Sequence, residues 1–578
     1  MKKIFFLLSM FFAFGVSTQA VPVRPGIKKV LTLADGTAVA AELKGDEYMA
    51  WWETADGRKF VQSESDEKTF VAADINAMRA QSAERRAIVD DARAKRMASA
   101  RTPKKRTLGG DHITYTGKKK GIIILANFTD SKFDEKHDNQ YYVNVANTPG
   151  FTSDEGYVGS VRDYFYAQSN GTFELDFDVI GPIELSHGYA WYGKDDTSTR
   201  DIRVGKMIKE AVEAADKAGA DWKSYDWDGD GECDQVFVLY AGLGQASGGD
   251  ANTIWPHEFK MSACPELNRT PVTTECGIVV DTYACSNENQ PVMKNGQFIN
   301  EYQPAGIGTI CHEFSHCLGF PDAYDPTKTR FGMGTWDLMD VGSFIDNGFT
   351  PSCYTGLERM IAGWQNAKVL ANDTIVNNMG PISEGGEFFI VYNEGYKNEF
   401  YILENHQNVG WDAKRKGTGL LVNYVDYDER VWTGMAPNAN GDYARYTIIC
   451  ADGYNYDDYP DDNCFPYGSV NSLTDNSEPA ATLNHANVNG KKLMGKPITD
   501  IHRNADGTMG FTFKREVELS NTPNPWDNLI VDGIAEVNAA TQAKADNRIY
   551  TLDGRFLGTD MKALKSGMYI VNGKKILK

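Results

Sequence analysis

Two of the chain's nine histidines, His312 and His316, stand four residues apart in the stretch CHEFSHCLGFPDAYD (residues 311–325), with Glu313 directly after the first. At i and i+4 on a helix both imidazoles lie on one face and reach one cation. Zinc accepts imidazole well and, where it does chemistry, keeps a position open for water. Glu313 is placed to take a proton from that water, so the pattern suits metal-assisted hydrolysis. A catalytic zinc needs three protein ligands, and no third histidine is near.

The residues that follow supply candidates. Gly319, three positions after His316, can end the helix at positive φ and turn the chain back toward the metal, and Pro321 forbids helix continuation. Asp322 then falls ten residues after His312, where H-E-x-x-H-x-x-G-x-x-H proteases of the metzincin group carry a third histidine. A carboxylate oxygen ligates zinc at a similar distance. Asp322 is therefore favoured as third ligand, with Asp325 one step further as its competitor and the more distant Glu358 as a third choice. Met339, seventeen residues after Asp322 in GTWDLMDVGSF, is placed to pack beneath the ligands as a methionine turn does. An anionic third ligand would leave the zinc less electrophilic than three imidazoles would.

A second cluster is acidic. DWDGDGECD places Asp226, Asp228, Asp230 and Asp234 at positions one, three, five and nine of a calcium-type loop, with Gly231 at six and the Glu232 carbonyl at seven. The twelfth position is Phe237, so the bidentate glutamate of an EF-hand is missing and another segment must complete the shell.

These residues need scaffolding elements. With 578 residues the chain has several domains, and 42% hydrophobic residues leave ample core. A formal charge of −20 with no large basic block argues against nucleic acid as partner. Residues 1–20 combine Lys2 and Lys3, an apolar run from Ile4 to Val16, and small residues at Thr18 and Ala20. That is a secretory signal cut after Ala20, which takes the charge from −20 to −22 by removing those two lysines. Export permits disulfides, and nine cysteines leave at least one unpaired. Cys264, Cys276 and Cys285 could include one bridge, whereas Cys311 and Cys317 lie on different helix faces and read as small buried residues.

From Val21 to about Phe70 two Asp-Gly turns separate short strands. Asp74 caps a helix running to about Ala100, and RTPKKRTLGGD follows as a basic linker with Arg106 the obvious cleavage point. GIIILAN starts a domain of mixed strands and helices that extends to about Lys368. Its helices include VGSVRDYFYAQS and the amphipathic STRDIRVGKMIKEAVEAADKAG, and FELDFDVIGPIEL alternates like a strand. Short strands separated by Gly, Asn and Asp fill residues 369–515, and a Pro/Asn linker leads to a final module.

HEFSHCLGFPDAYD, TWDLMDVGS, GSVRDYFYAQSNGTF, DVIGPIEL, WDGDGECDQVFVLYAG and FYILENHQNVGWDAKRKGTGLLVNYVD together resemble the immune-inhibitor-A-type family of secreted bacterial metallopeptidases, from about Gly121 to Asp426. The resemblance implies a zinc endopeptidase made as a zymogen, with calcium at the acidic loop and a β-rich domain after the catalytic one. One departure is Asn423-Tyr424, where many relatives have Trp-His. The propeptide, Val21 to about Arg106, has no cysteine, which excludes a cysteine switch and leaves an Asp or Glu to hold the enzyme latent. The final residues, IYTLDGRFLG and LKSGMYIVNGKKILK, resemble sorting modules of proteins exported by Bacteroidetes-type bacteria, which implies outer-membrane secretion machinery as a partner.

The expected architecture is an α+β multidomain chain with a metzincin-like zinc protease domain, a mixed sheet plus active-site helix, followed by β-rich domains. Its segments are a signal at 1–20, a propeptide at 21–108, a catalytic domain at 109–368, a β-rich domain at 369–515 and a sorting-type domain at 530–578. The expected activity is hydrolysis of peptide bonds in extracellular proteins, outside the cell or on its surface. The rival reading is a non-catalytic surface adhesin on a metal-stabilised protease scaffold. Glu313 argues against it, because a structural metal site has no use for a general base. Spacing alone leaves open a metal-dependent hydrolase of non-peptide substrates.

Overall fold

The computed structural model describes residues 20–84 and 115–525, apart from short stretches at 64, 67, 196–199, 296, 327–329, 429–430, 433–436, 440–442 and 455–462, together with four short strands between 549 and 577. The signal stretch 1–19, the linker around Arg106 and most of the tail lie outside the described residues. Among the described residues no helix is long and apolar enough to cross a membrane.

Residues 28–72 form an antiparallel meander of five strands, β1 (Lys28–Thr32), β2 (Ala38–Gly45), β3 (Ala50–Glu53), β4 (Lys59–Gln62) and β5 (Phe70–Ala72). Both Asp-Gly turns fall between strands, at Gly36 and Gly57 with φ of +84° and +81°, a conformation that costs glycine nothing. Asp74 accepts the Asn76 and Ala77 backbone N–H groups and starts the expected helix, described as far as residue 84.

The central sheet is built from β6 (Gly117–Asn127), β7 (Phe173–Glu184), β8 (Val236–Leu243), β9 (His257–Lys260), β10 (Thr282–Lys294) and β11 (Gln297–Pro304). Its order is β11-β10-β8-β6-β7, with β9 also pairing β10. The β6–β7, β6–β8 and β8–β10 ladders are parallel, and β11 returns antiparallel on β10. A strand buried on both faces reads as an apolar run, and GIIILA in β6 does. Its alternate residues divide between two cores: Ile123 and Leu125 face one, Ile122, Ile124 and Ala126 the other.

Helices α1 (Asn139–Asn147) and α2 (Val161–Gln168) connect β6 to β7, and α3 (Val204–Lys217) connects β7 to β8. Ser160 and Asp163 form a capping box on α2. Helix α3 buries Val204, Met207, Ile208, Ala211, Val212 and Ala215, one apolar stripe at helical spacing. The HExxH segment is α4 (Gly308–Ser315), a short helix whose every residue is buried. Its Phe314 packs edge-on against Phe165 of α2 and Phe177 of β7.

Beyond α5 (Gly356–Ile361), a five-stranded sheet contains Phe389–Tyr392, Glu399–His406 and Gly419–Asp426, and a three-stranded sheet joins Thr374–Met379, Met509–Phe513 and Ile498–Arg503. The described residues up to 525 form one compact unit. The second unit, residues 530–578, contains a four-stranded sheet of Ile549–Tyr550, Phe556–Gly558, Met568–Val571 and Lys574–Leu577.

All nine cysteines are free thiols, so the bridge contemplated among Cys264, Cys276 and Cys285 is absent. The side chains have other neighbours. Cys264 Sγ meets the Lys260 carbonyl, Cys285 Sγ lies 3.6 Å from His257, and Cys276 is exposed beside Thr274.

Candidate metal centre and active site

Helix α4 ends as the glycine predicts. His316–Leu318 tightens into a 3₁₀ turn, and Gly319 takes φ +91°. The chain reverses there and brings Asp322 back over the helix. Asp322 Oδ1 lies 3.2 Å from His312 Nε2 and 3.7 Å from His316 Nε2. Donor atoms about 2.0–2.1 Å from one zinc at tetrahedral angles stand about 3.4 Å apart, so the spacing fits. Both histidines are fixed from behind. His312 Nδ1 donates to the Leu338 carbonyl and His316 Nδ1 to the Phe320 carbonyl, each at 2.8 Å. With hydrogen on Nδ1, each Nε2 presents a lone pair toward Asp322, the tautomer a metal ligand needs. These residues fit a zinc ion.

Asp322 is buried, which pushes its carboxyl up to about 6. A cation among the three donors would remove that penalty. Asp325 instead accepts the Arg330 backbone N–H at 2.8 Å. Glu358 caps α5 through a box with Thr355.

Glu313 also lies near the two histidines. Its Oε2 is 3.9 Å from His316 Nε2, further than Asp322 Oδ1 is from either ring, which suits a base better than a ligand. Burial, reinforced by the Asp322 charge, pushes the Glu313 carboxyl well above its usual range. A carboxyl raised in this way is a stronger base than a free glutamate.

Met339 is buried directly after Leu338, whose carbonyl holds His312. The Met339 carbonyl accepts the Ala323 N–H at 2.8 Å, and Asp337 accepts the Met339 N–H at 2.7 Å. The Leu338–Met339 backbone thus holds both His312 and the loop after Asp322. Two supporting residues carry no sequence motif of their own. Gln235 Nε2 donates to the Glu313 carbonyl at 3.0 Å, and the Tyr324 hydroxyl lies 3.3 Å from Asp322 Oδ2. Tyr324 stands inside the HExxH-to-aspartate stretch, so its position was visible even though its role was not.

The chain's N-terminal segment enters this site. Val21 N donates to Glu313 Oε1 at 3.0 Å, and Trp255 Nε1 donates to the Val21 carbonyl at 3.0 Å. Tyr324 OH donates to the Ala20 carbonyl at 2.7 Å and lies 3.3 Å from Glu47 Oε2. Ala20 and Val21 are fully buried.

Residues 113–366 match the immune inhibitor A peptidase M6 catalytic domain. Over those residues the chain is similar to the M6 peptidases. It is similar to pre-pro-metalloprotease PrtV of Vibrio cholerae, 27% identical over 259 residues, which are 38% of this chain and 26% of that protein. It is also similar to immune inhibitor A of Bacillus thuringiensis subsp. alesti, 24% identical over 275 residues, 41% of this chain and 38% of that one. The chain thus matches well under half the length of either relative. The M6 match ends just after α5, yet residues beyond it brace the metal site. Asn438 donates to the Ala323 carbonyl, and the Tyr446 hydroxyl to Asp337 Oδ2 at 2.8 Å.

One further cluster, Cys353, His406 and Asp412, has donor spacing compatible with a metal. A cation already fills it: Arg415 Nη2 lies 3.0 Å from both His406 Nδ1 and Asp412 Oδ2, and its guanidinium stacks 3.9 Å from Trp336. Burial opposes ionisation of Asp412, yet Arg415 and His406 hold its carboxyl well below the usual range. Asn423 and Tyr424, the departures noted above, supply polar partners nearby, donating to Glu404 and Glu399 respectively.

The acidic loop is pre-folded. Asp226 accepts the Gly229, Asp230 and Gly231 N–H groups, and Asp230 accepts that of Glu232. Carboxylate oxygens of Asp226, Asp228 and Asp230 lie within 4.8 Å of one another. Asp234 turns to the loop's own backbone, accepting Trp227 N–H at 2.6 Å. Gln235, which holds the Glu313 carbonyl, comes directly after this loop.

Proposed function

We propose that the chain is a secreted zinc-dependent endopeptidase of metzincin-like build, made as a zymogen and acting on extracellular proteins. The observation that carries this reading is the convergence of His312 Nε2, His316 Nε2 and Asp322 Oδ1, with Glu313 beside them. A zinc ion held by the first three would polarise the scissile carbonyl and acidify a water. Glu313 would take the proton from that water and return it to the leaving nitrogen. Gln235 and the Leu338 and Phe320 carbonyls would keep the base and both ligands oriented.

Latency is supported by the seat of the pro-segment. A signal cut after Ala20 would leave Val21 as the amino terminus, a cation against Glu313. Glu47 reaches Tyr324 from the same side. The cleft is thus closed at the base itself, and cleavage near Arg106 would release it. The segments proposed for export are the signal at 1–20 and the sorting-type module at 530–578.

The test is hydrolysis of casein by the protein after limited proteolysis at the basic linker. Activity abolished by phenanthroline and restored by zinc is expected. A protein that takes up zinc and cleaves nothing would favour the adhesin reading.

Calcium at Asp226, Asp228 and Asp230, with the Glu232 carbonyl, is the second proposed metal. The three carboxylates repel one another across less than 5 Å. Removing calcium with a selective chelator should lower Tm by several degrees, about 2–4 °C per kcal/mol for a chain this large or less. Calcium should restore it and zinc should not; a Tm indifferent to calcium would count against the site.

A further inference from the structure

Val21, the first residue of the pro-segment, lies in the active site, and its nitrogen gives the register: Val21 N meets Glu313 Oε1. In the reaction proposed above, Glu313 hands its proton to the leaving nitrogen. The nitrogen against Glu313 is therefore that of the first residue beyond the scissile bond. On this register Val21 is the first residue on the leaving-group side and Arg24 the fourth.

Arg24 is only 2% exposed. Its backbone N–H donates to the Ala246 carbonyl at 3.0 Å. Its guanidinium lies 4.6 Å from the centre of the Phe344 ring, and one of its nitrogens donates to Asn347 Oδ1. Burial lowers its pKa only to about 9, so it stays charged at neutral pH. The pocket is fixed by the catalytic segment itself. Gln290 Nε2 donates to the Asn347 carbonyl at 2.9 Å, and Asn347 Nδ2 to the Pro291 carbonyl, which turns Oδ1 toward Arg24. Asn347 sits at φ +58°, a conformation asparagine tolerates. Phe344, Asn347 and Ala246 all follow the basic linker, so the pocket stays with the enzyme when the pro-segment leaves.

We propose that the Phe344–Asn347 pocket is the subsite for the fourth residue beyond the scissile bond and that it selects arginine. This rests on the peptidase reading. A flat cation over an aromatic face with one carbonyl acceptor favours guanidinium over an uncharged chain of equal length and disfavours a carboxylate.

The test is cleavage-site profiling. The full-length protein, activated at the linker and freed of the activating protease, digests a proteome-derived peptide library, and mass spectrometry reads the cut sites. Arginine should be enriched at the fourth residue beyond the cut. In matched quenched peptides its kcat/KM should exceed that of norleucine by about tenfold, with glutamate slowest. Asn347→Gly, which suits the positive φ, and Phe344→Leu should each erase the enrichment. Enrichment is a ratio within one digest, so it does not depend on how much variant folds. Cleavage with no arginine preference there, or a preference both variants keep, overturns the subsite but leaves the peptidase standing. No cleavage by the parent enzyme overturns the peptidase reading and the subsite with it.

Discussion

Glu313→Gln is expected to lower kcat/KM on casein by about 10³-fold while the protein keeps its zinc. The substitution preserves volume and a hydrogen-bonding head but cannot accept a proton. Because Asp322 Oδ1 is nearer than Glu313 to both Nε2 atoms, the metal should not depend on Glu313. Metal content by mass spectrometry and rate on one preparation separate the two roles. Rates near those of the parent would remove Glu313 as the base. Lost zinc with lost activity would make it a ligand instead, as its own proximity to the histidines would allow.

Deleting residues 21–24 from the uncut zymogen should release activity without cleavage at the linker. Those residues hold the segment in the cleft through the Val21 bond to Glu313, the Trp255 bond to the Val21 carbonyl and the Arg24 pocket. Val21 and Val23 are also buried beside Ala246, Trp255 and Phe344. Burying one such side chain is worth about 1.5–3 kcal/mol, and every 1.4 kcal/mol is about tenfold in occupancy. The uncut variant should therefore be at least about tenfold more active than the uncut parent, with the strands of the pro-segment still folded. A variant as silent as the parent would shift latency to Glu47 and the strands around it.

Much of the site was legible because it is local. The i, i+4 histidines, the glycine at the αL turn and the aspartate six residues on lie within one short stretch, and backbone geometry nearly dictates their meeting. The Met339 turn was legible as a neighbour but not as a brace, because its action runs through the Leu338 and Met339 carbonyls, which any residue carries. Gln235 could not be read at all: it is an ordinary glutamine brought to α4 by the parallel pairing of β8. Residues 21–106 contain no cysteine, which points to an acidic latch. The contact at Glu313 is a backbone nitrogen, invisible in a list of side chains. In the fold, the apolar run of β6 and the stripe on α3 were plain. The absent disulfide was not, since spacing cannot distinguish a bridged cysteine from one facing a carbonyl or an imidazole.

Anomalous scattering from crystals of the activated protein, recorded on both sides of the zinc absorption edge, tests the central claim directly. One zinc peak bonded to His312 Nε2, His316 Nε2 and an Asp322 oxygen, with Glu313 outside bonding distance, is the predicted result. A peak ligated by Glu313, Asp325 or Glu358 in place of Asp322, or no zinc between the two histidines, would contradict it.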